Sequence, residues 1–374
     1  MRRLVFLVSA VIMIDTAFYS AVAPLLPHYV DELDLSKSAA GLLTASYAAG
    51  SLVGAIPTGW LAGRWGVKPT TLAGLAGLAG SSLVFAFAQD VWVLDAARFA
   101  QGLAGSCTWA AGFAWVVERA PPERRGEVIG TPLAAAIAGT LVGPVLGTAA
   151  DHIGPEPVFC GVALAAIALC VPAARESAPP GEAAEMGRVV AAVRMRAVQL
   201  GIWLVALPSI AAGVLNVLVP LRMDALGAAS VAIGGTYLVA AAFEAILSPI
   251  VGRISDRRGR LVPIRFGLVG GALLLVLIPI PESAPVVAVL FVCVVLTDGA
   301  FWAPSMALLS DEVERARVQQ GFAFAFTNIA WSAGQLTGNG AGSAIAQATA
   351  DWVSYAAVAT LFVGTFVALR RRPP

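Results

Sequence analysis

Ionisable side chains inside long apolar stretches each cost about 2.5–3.5 kcal/mol to place. Asp15 lies near the middle of the first stretch, Asp298 at a similar depth of a late one, in LTDGAFWAP, and Arg98 between them, in ARFAQG. A carboxyl in hydrocarbon is a natural site for a proton that comes and goes. Its bland alternative is a carboxylate locked in a structural hydrogen bond. Tyr19, one helical turn beyond Asp15, shares its face and is placed to hydrogen-bond to it. Arg98 cannot lose its proton and must find partners. Asp95, three residues away, offers a structural pair, and a position near Asp15 offers a coupling role. Gln101 lies one turn deeper. Two acids in opposite halves at one depth, Asp15 and Asp298, are what a shared central cavity would present.

Other polar groups in apolar surroundings are Glu244, Asn216, Asn328 and Gln335. Each is suited either to orienting a ligand or to bonding between helices. Trp331, with Phe18, Trp109, Trp203, Tyr237 and Trp302, would line an apolar cavity or pack against helices or lipid. His28 and His152 fall in or near loops and read as solvated. No Ser/His/Asp grouping, phosphate loop or metal-ligand spacing occurs, so no catalytic residue, metal or cofactor is expected. Cys107, Cys160, Cys170 and Cys293 all lie in apolar blocks and are expected to stay reduced.

The elements that position these groups are membrane helices. Hydrophobic residues make up 58% of the 374, charged residues 13%, and mean hydropathy is +0.81, far from the balance of a soluble domain. The surplus falls in twelve blocks, at 4–27, 39–60, 70–88, 91–117, 126–150, 157–174, 198–219, 230–251, 261–280, 285–310, 321–347 and 352–369. These lengths suit helices, being about twice those of barrel strands. The first block resembles a secretion signal, but Asp15 interrupts its apolar core and Pro24 would follow the cut, so it is expected to remain as a span. Twenty of the 24 Lys and Arg fall in one alternate set of loops, and the opposite set holds only Lys37 and Arg222. That bias places both termini in the cytoplasm. A net charge of +1 gives no electrostatic case for nucleic acid. Residues 175–197, with ESAPPGEAAE at their centre, read as a linker between an N-terminal bundle, 1–174, and a C-terminal one, 198–374. The linker's last ten residues, 187–196, have the pattern of either a basic surface helix or a solvated tether.

One half is a divergent copy of the other. PTGWLAGRWGVK falls on IVGRISDRRGRL 193 positions later, setting Gly59, Arg64 and Gly66 on Gly252, Arg257 and Gly259. Gly139, Gly143 and Gly147 recur 195 positions later as Gly334, Gly338 and Gly342, with Asn339 in the slot of Pro144. Such a small-residue stripe lets helices approach closely, and a proline bends one of the two copies.

The two-half pattern and these motifs resemble the major facilitator superfamily across essentially the whole chain. Gly59, Leu61, Ala62, Arg64 and Gly66 match its hinge motif, with Gly63 at the acidic position, and the second copy keeps Asp256, Arg257, Gly259 and Arg260. Arg98, Gln101 and Gly102 resemble the family's fourth-span motif, and Gly139, Gly143, Pro144 and Gly147 its fifth-span motif. The resemblance implies an all-α membrane protein of twelve transmembrane helices in two pseudo-symmetric six-helix bundles. It implies that the acid and bases of the hinge latch the two halves in the outward-facing state. The fifth-span motif implies proton exchange. Stretches around Asp15 and Asp298 are similar to those of vesicular monoamine transporters and bacterial multidrug exporters, which also carry acids where Asn216 and Asn328 stand here. The expectation is a monomeric, proton-coupled exporter of small lipophilic or cationic molecules. The alternative is a proton-coupled importer or exporter of one metabolite or sugar.

Overall fold

The computed structural model describes residues 1–120, 125–178, 192–316 and 320–370, and the regular structure among them is helical. The helices are α1 (Arg2–Leu33), α2 (Lys37–Trp65), α3 (Val67–Phe87), α4 (Val91–Arg119), α5 (Arg125–Ile153), α6 (Pro155–Arg175), α7 (Arg196–Ala225), α8 (Ser230–Arg258), α9 (Leu261–Leu277) and α10 (Ala284–Arg315). α11 begins as Gln320–Leu336, widens into π-helical turns at Thr337–Gly342 and closes with Ser343–Ala348, and α12 is Asp351–Arg370. Among the described residues nine helices are long and apolar enough to cross a membrane, and α9 is apolar but shorter. Each expected block is a helix, and several run past its apolar edge because polar ends keep their backbone hydrogen bonds outside the hydrocarbon. Most of the linker 175–197 and the first half of the segment 187–196 lie outside the described residues, as do Arg124, Arg188, Arg317, Arg371 and Arg372. All four cysteines are free thiols.

Contacts divide the chain into two compact units, Met1–Leu25 with Ser46–Val189, and Leu26–Ala45 with Val190–Pro374. In the first, Phe18, Phe85 and Phe159 form a buried aromatic knot with ring centroids 4.8–5.3 Å apart, joining α1, α3 and α6. In the second, Phe301 and Phe362 meet edge to face at 5.7 Å. Tyr237 packs on Phe291 at 4.6 Å and donates to the Leu215 carbonyl.

Glycine sets the helix spacing within each unit. The α5 stripe lies on α1: a Cβ at Gly139 would stand 2.5 Å from the Met13 carbonyl oxygen, and one at Gly147 2.2 Å from that of Ala21. At Gly143 it would sit 1.9 Å from Ser20 Oγ. The copied stripe on α11 lies on α7 in the same way, with Gly334 against the Ala206 carbonyl at 2.4 Å and Gly338 against that of Ile210 at 2.2 Å. The sequence repeat is thus a packing repeat. Gly74 and Gly77 of α3 abut α4, and 193 positions on, Gly267 and Gly270 of α9 abut α10. Gly66 and Gly259, the matched hinge glycines, carry φ of 94° and 90°, a region that side chains with a Cβ rarely enter. The copies differ where Pro144 is replaced. α5 runs through its proline as one helix, whereas α11 widens around Asn339 into π turns.

Gly143→Leu is expected to destabilise the detergent-solubilised protein by about 1–3 kcal/mol, the usual cost of overpacking. Gly80→Leu, at a glycine with nothing within 4 Å of the added carbon, should be near neutral. Thermal unfolding of the two variants side by side checks this.

Candidate functional site

Asp15 on α1 is completely buried. Its Oδ2 accepts hydrogen bonds from Tyr47 Oη of α2 at 3.1 Å and from Trp109 Nε1 of α4 at 3.0 Å. Its Oδ1 is buried with no hydrogen-bond partner among the described residues. The phenol that reaches Asp15 is therefore that of Tyr47 rather than the expected Tyr19, whose ring packs at a tilt against Tyr47, centroids 4.8 Å apart. Helix α4 makes room for the group with glycine. A Cβ at Gly105 would lie 2.8 Å from Tyr47 Oη and 3.2 Å from Asp15 Oδ2. One at Gly102 would lie 1.9 Å from the Tyr47 carbonyl oxygen, so α2 and α4 touch backbone to backbone beside the site.

Arg98 is 1% exposed. It does not pair with Asp95, which bonds to Ser46; its Nη1 donates to Gln101 Oε1 at 2.5 Å. Its guanidinium carbon sits 5.0 Å from the Tyr47 ring centroid, 5.6 Å from that of Phe18 and 5.8 Å from that of Tyr19. Three aromatic faces thus share the burden of a buried cation. Tyr47 touches both Arg98, with its ring, and Asp15, with its hydroxyl. Sequence reading missed Tyr47 altogether and treated Trp109 only as a generic aromatic. The available signal for Trp109 was its position one turn from Gly105 on the same α4 face.

In the second unit Asp298 of α10 is buried, and its Oδ1 has no hydrogen-bond partner among the described residues. Its charge interacts with that of Glu244 on α8. Gly299 admits that neighbour, since a Cβ there would stand 3.2 Å from Glu244 Cγ. The 193-residue repeat puts Asp298 in the slot of Gly105, Gly299 in that of Ser106 and Glu244 in that of Ser51. Where Ser106 donates to the Ser51 carbonyl in the first unit, a long acid meets a glycine in the second.

Two pairs of α11 polar residues bond along their own helix. Ser332 donates to Asn328 and Asn339 donates to Gln335, a ladder on one face. Trp331 and Asn328 are half-buried, as is Asn216 on α7. Of the hinge residues, Gly59 faces open space, Arg64 lies over Trp60 at 5.3 Å, and Arg257 is exposed. Arg260 bonds Asp256 at 2.5 Å and Asp311 of α10 at 3.2 Å, a clamp within the second unit. No metal-binding group of His, Cys, Asp and Glu occurs among the described residues.

Long apolar helices, buried ionisable groups and a twofold internal copy define a polytopic helical membrane protein built from two like halves. The profile of the Major Facilitator Superfamily matches residues 5–319 and 209–374. The chain belongs to that superfamily and is a transporter rather than an enzyme. It is 32% identical over 139 residues to the MFS-type transporter ppzB of Metarhizium majus (strain ARSEF 297), a match covering 36% of this chain and 30% of that protein. It is 33% identical over 149 residues to the multidrug resistance protein MdtG of Salmonella paratyphi A (strain ATCC 9150 / SARB42), covering 38% of this chain and 37% of the relative. The chain thus spans about a third of the length of these relatives. In fold it matches a POT family transporter crystallised with a thioalcohol-conjugated peptide, with TM-score 0.78 over 98% of this chain and 95% of that one, at 12% identity.

A double-mutant cycle on Asp15→Ala and Trp109→Phe should return a coupling energy of about 1.5–3 kcal/mol, the scale of a hydrogen bond to a charged group. Thermal unfolding of the four proteins measures it. A coupling near zero would mean that the bond does not form in solution.

Proposed function

We propose that the protein is a proton-coupled exporter of small lipophilic or cationic molecules, working by alternating access in the manner of its superfamily. Asp15 carries this reading. Here is a buried carboxyl held by two neutral donors, with one oxygen unbonded among the described residues and a fixed cation one side chain away. Such a group binds either a proton or a cargo molecule, and exchange requires that mutual exclusion. Arg98, held by Gln101, sets the field in which Asp15 exchanges its proton. Asp298, with Glu244 beside it, would take the amine of a cationic cargo or a second proton. Each inward proton yields about 1.4 kcal/mol per pH unit and about 2.3 kcal/mol per 100 mV. One proton therefore supports a tenfold or greater gradient of neutral cargo. The distant likeness to a multidrug resistance protein supports the export direction.

In this reading the protein is a monomer in the inner membrane with both termini cytoplasmic, as the Lys and Arg bias supports. Residues 1–174 and 198–374 act as two bundles joined by a linker at 175–197. The clamp of Arg260 on Asp256 and Asp311 lies in the basic loop set and steadies one end of α8 and α10 during the cycle.

Asp15→Asn should insert normally yet abolish export driven by an imposed pH step in proteoliposomes, followed by an internal pH dye against a panel of lipophilic cations, neutral drugs and sugars. Unchanged export removes Asp15 from the mechanism. Arg260→Ala should slow the exchange rate while leaving equilibrium cargo affinity intact, which paired counterflow and binding measurements resolve.

A further inference from the structure

Within the second unit, beside the α1–α2 turn, lies a cavity of about 480 Å³ that the transport reading does not use. Its polar lining includes Lys37, Arg222, Gln347, Asp351 and Tyr355, and Ile278 and Trp352 are part of its apolar wall. Lys37 and Arg222 are the two basic residues of that entire set of loops and helix ends, which is otherwise rich in acids such as Asp31, Glu32, Asp34 and Glu282. Both converge on this one cavity. An even scatter of cations over an acidic face would not produce that.

The donors there are only partly used. Lys37 Nζ bonds Asp351 Oδ1 at 2.5 Å, and the Lys37 amide bonds Gln347 Oε1 at 2.9 Å, tying the start of α2 to the end of α11 and the start of α12. Arg222 Nη2 donates to the Pro281 carbonyl at 3.2 Å, while its Nε is buried with no hydrogen-bond partner among the described residues. A buried guanidinium N–H without an acceptor is costly to leave unmade. Guanidinium edges match phosphate oxygens two at a time, and an ammonium adds a point charge. Asp351 shows the kind of group Lys37 binds, an oxyanion, but Arg222 Nε is left without an acceptor among the described residues. An anion with more than two oxygens, large enough to bridge two helix ends, would serve both. Beside the charges, Ile278 is buried and Trp352 is 61% exposed at the start of its helix. A tryptophan so placed suits the interfacial region of a bilayer, where basic pockets between helices take lipid headgroups.

We propose that Arg222 and Lys37 form a binding site for the phosphate group of an anionic lipid headgroup, with Asp351 as the internal anion it displaces. Occupancy draws Lys37 from Asp351 and so loosens the tie between the starts of α2 and α12. Free phosphate has the same recognition chemistry and is the second source to be separated.

The test uses the full chain in phosphatidylcholine nanodiscs, titrated in one arm with phosphatidylglycerol and in another with inorganic phosphate. Native mass spectrometry reads retained lipid and thermal shift reads the free anion. The expected result is one phosphatidylglycerol retained, with about tenfold weaker binding in Arg222→Gln, near-native binding in Arg222→Lys and tighter binding in Asp351→Asn. Phosphate stabilising the protein as well as the lipid does, with the same dependence on Arg222, would assign the site to the free anion. Equal binding by the native protein and Arg222→Gln in both arms overturns the proposal. So does an Asp351→Asn protein that binds no tighter, a result that does not depend on the Arg222 variants folding.

Discussion

A carboxylate that water does not touch constrains the whole first unit. Asp15 sits in a region where an isolated charge is expensive, and the surrounding helices are arranged around supplying it with donors. Tyr47 and Trp109 reach it from two different helices, and Gly105 leaves the space in which they meet. Arg98 is close by but buried among rings, with Gln101 as its hydrogen-bond acceptor. Tyr47 connects the two groups, so moving one helix of this set disturbs the surroundings of both.

Glycine makes that arrangement possible. In a bilayer, helices gain little from burying apolar surface against one another, and close backbone approach takes its place. The α5 stripe holds α1, and with it Asp15; the Gly102 contact holds α2, and with it Tyr47. The same logic recurs in the second unit with α11 on α7 and α9 on α10. Where the copy lacks its proline, α11 takes wider turns instead, a known way to bend a helix without breaking it.

Much of this was readable in the sequence, and the parts that were not share a cause. Apolar block lengths located every helix, because a bilayer dictates both length and composition. The glycine stripes announced their packing because small residues at helical spacing have few other uses in a membrane. Asp15, Arg98 and Asp298 stood out because charges there are rare. Partners were harder. Tyr19 was favoured for Asp15 on helical periodicity, yet Tyr47 makes the bond, since periodicity orders residues within a helix and says nothing of which helix lies opposite. Asp95 failed as a partner for Arg98 for the same reason: Ser46, on another helix, holds it. Glu244 was ambiguous from sequence because its meaning rests on Gly299, which belongs to a different helix.

The internal copy places its acids on opposite sides of one helix pairing. In the first unit the carboxylate comes from the opening helix and the fourth contributes a glycine; in the second, the fourth helix of the repeat contributes the carboxylate, and Pro208 stands where Asp15 would fall. With every acid ionised, Asp15 and Arg98 cancel to zero, while Glu244 and Asp298 sum to minus two. A single hydrogen ion therefore turns the first locus cationic and leaves the second still anionic. Gene doubling has here yielded two electrostatically unlike halves.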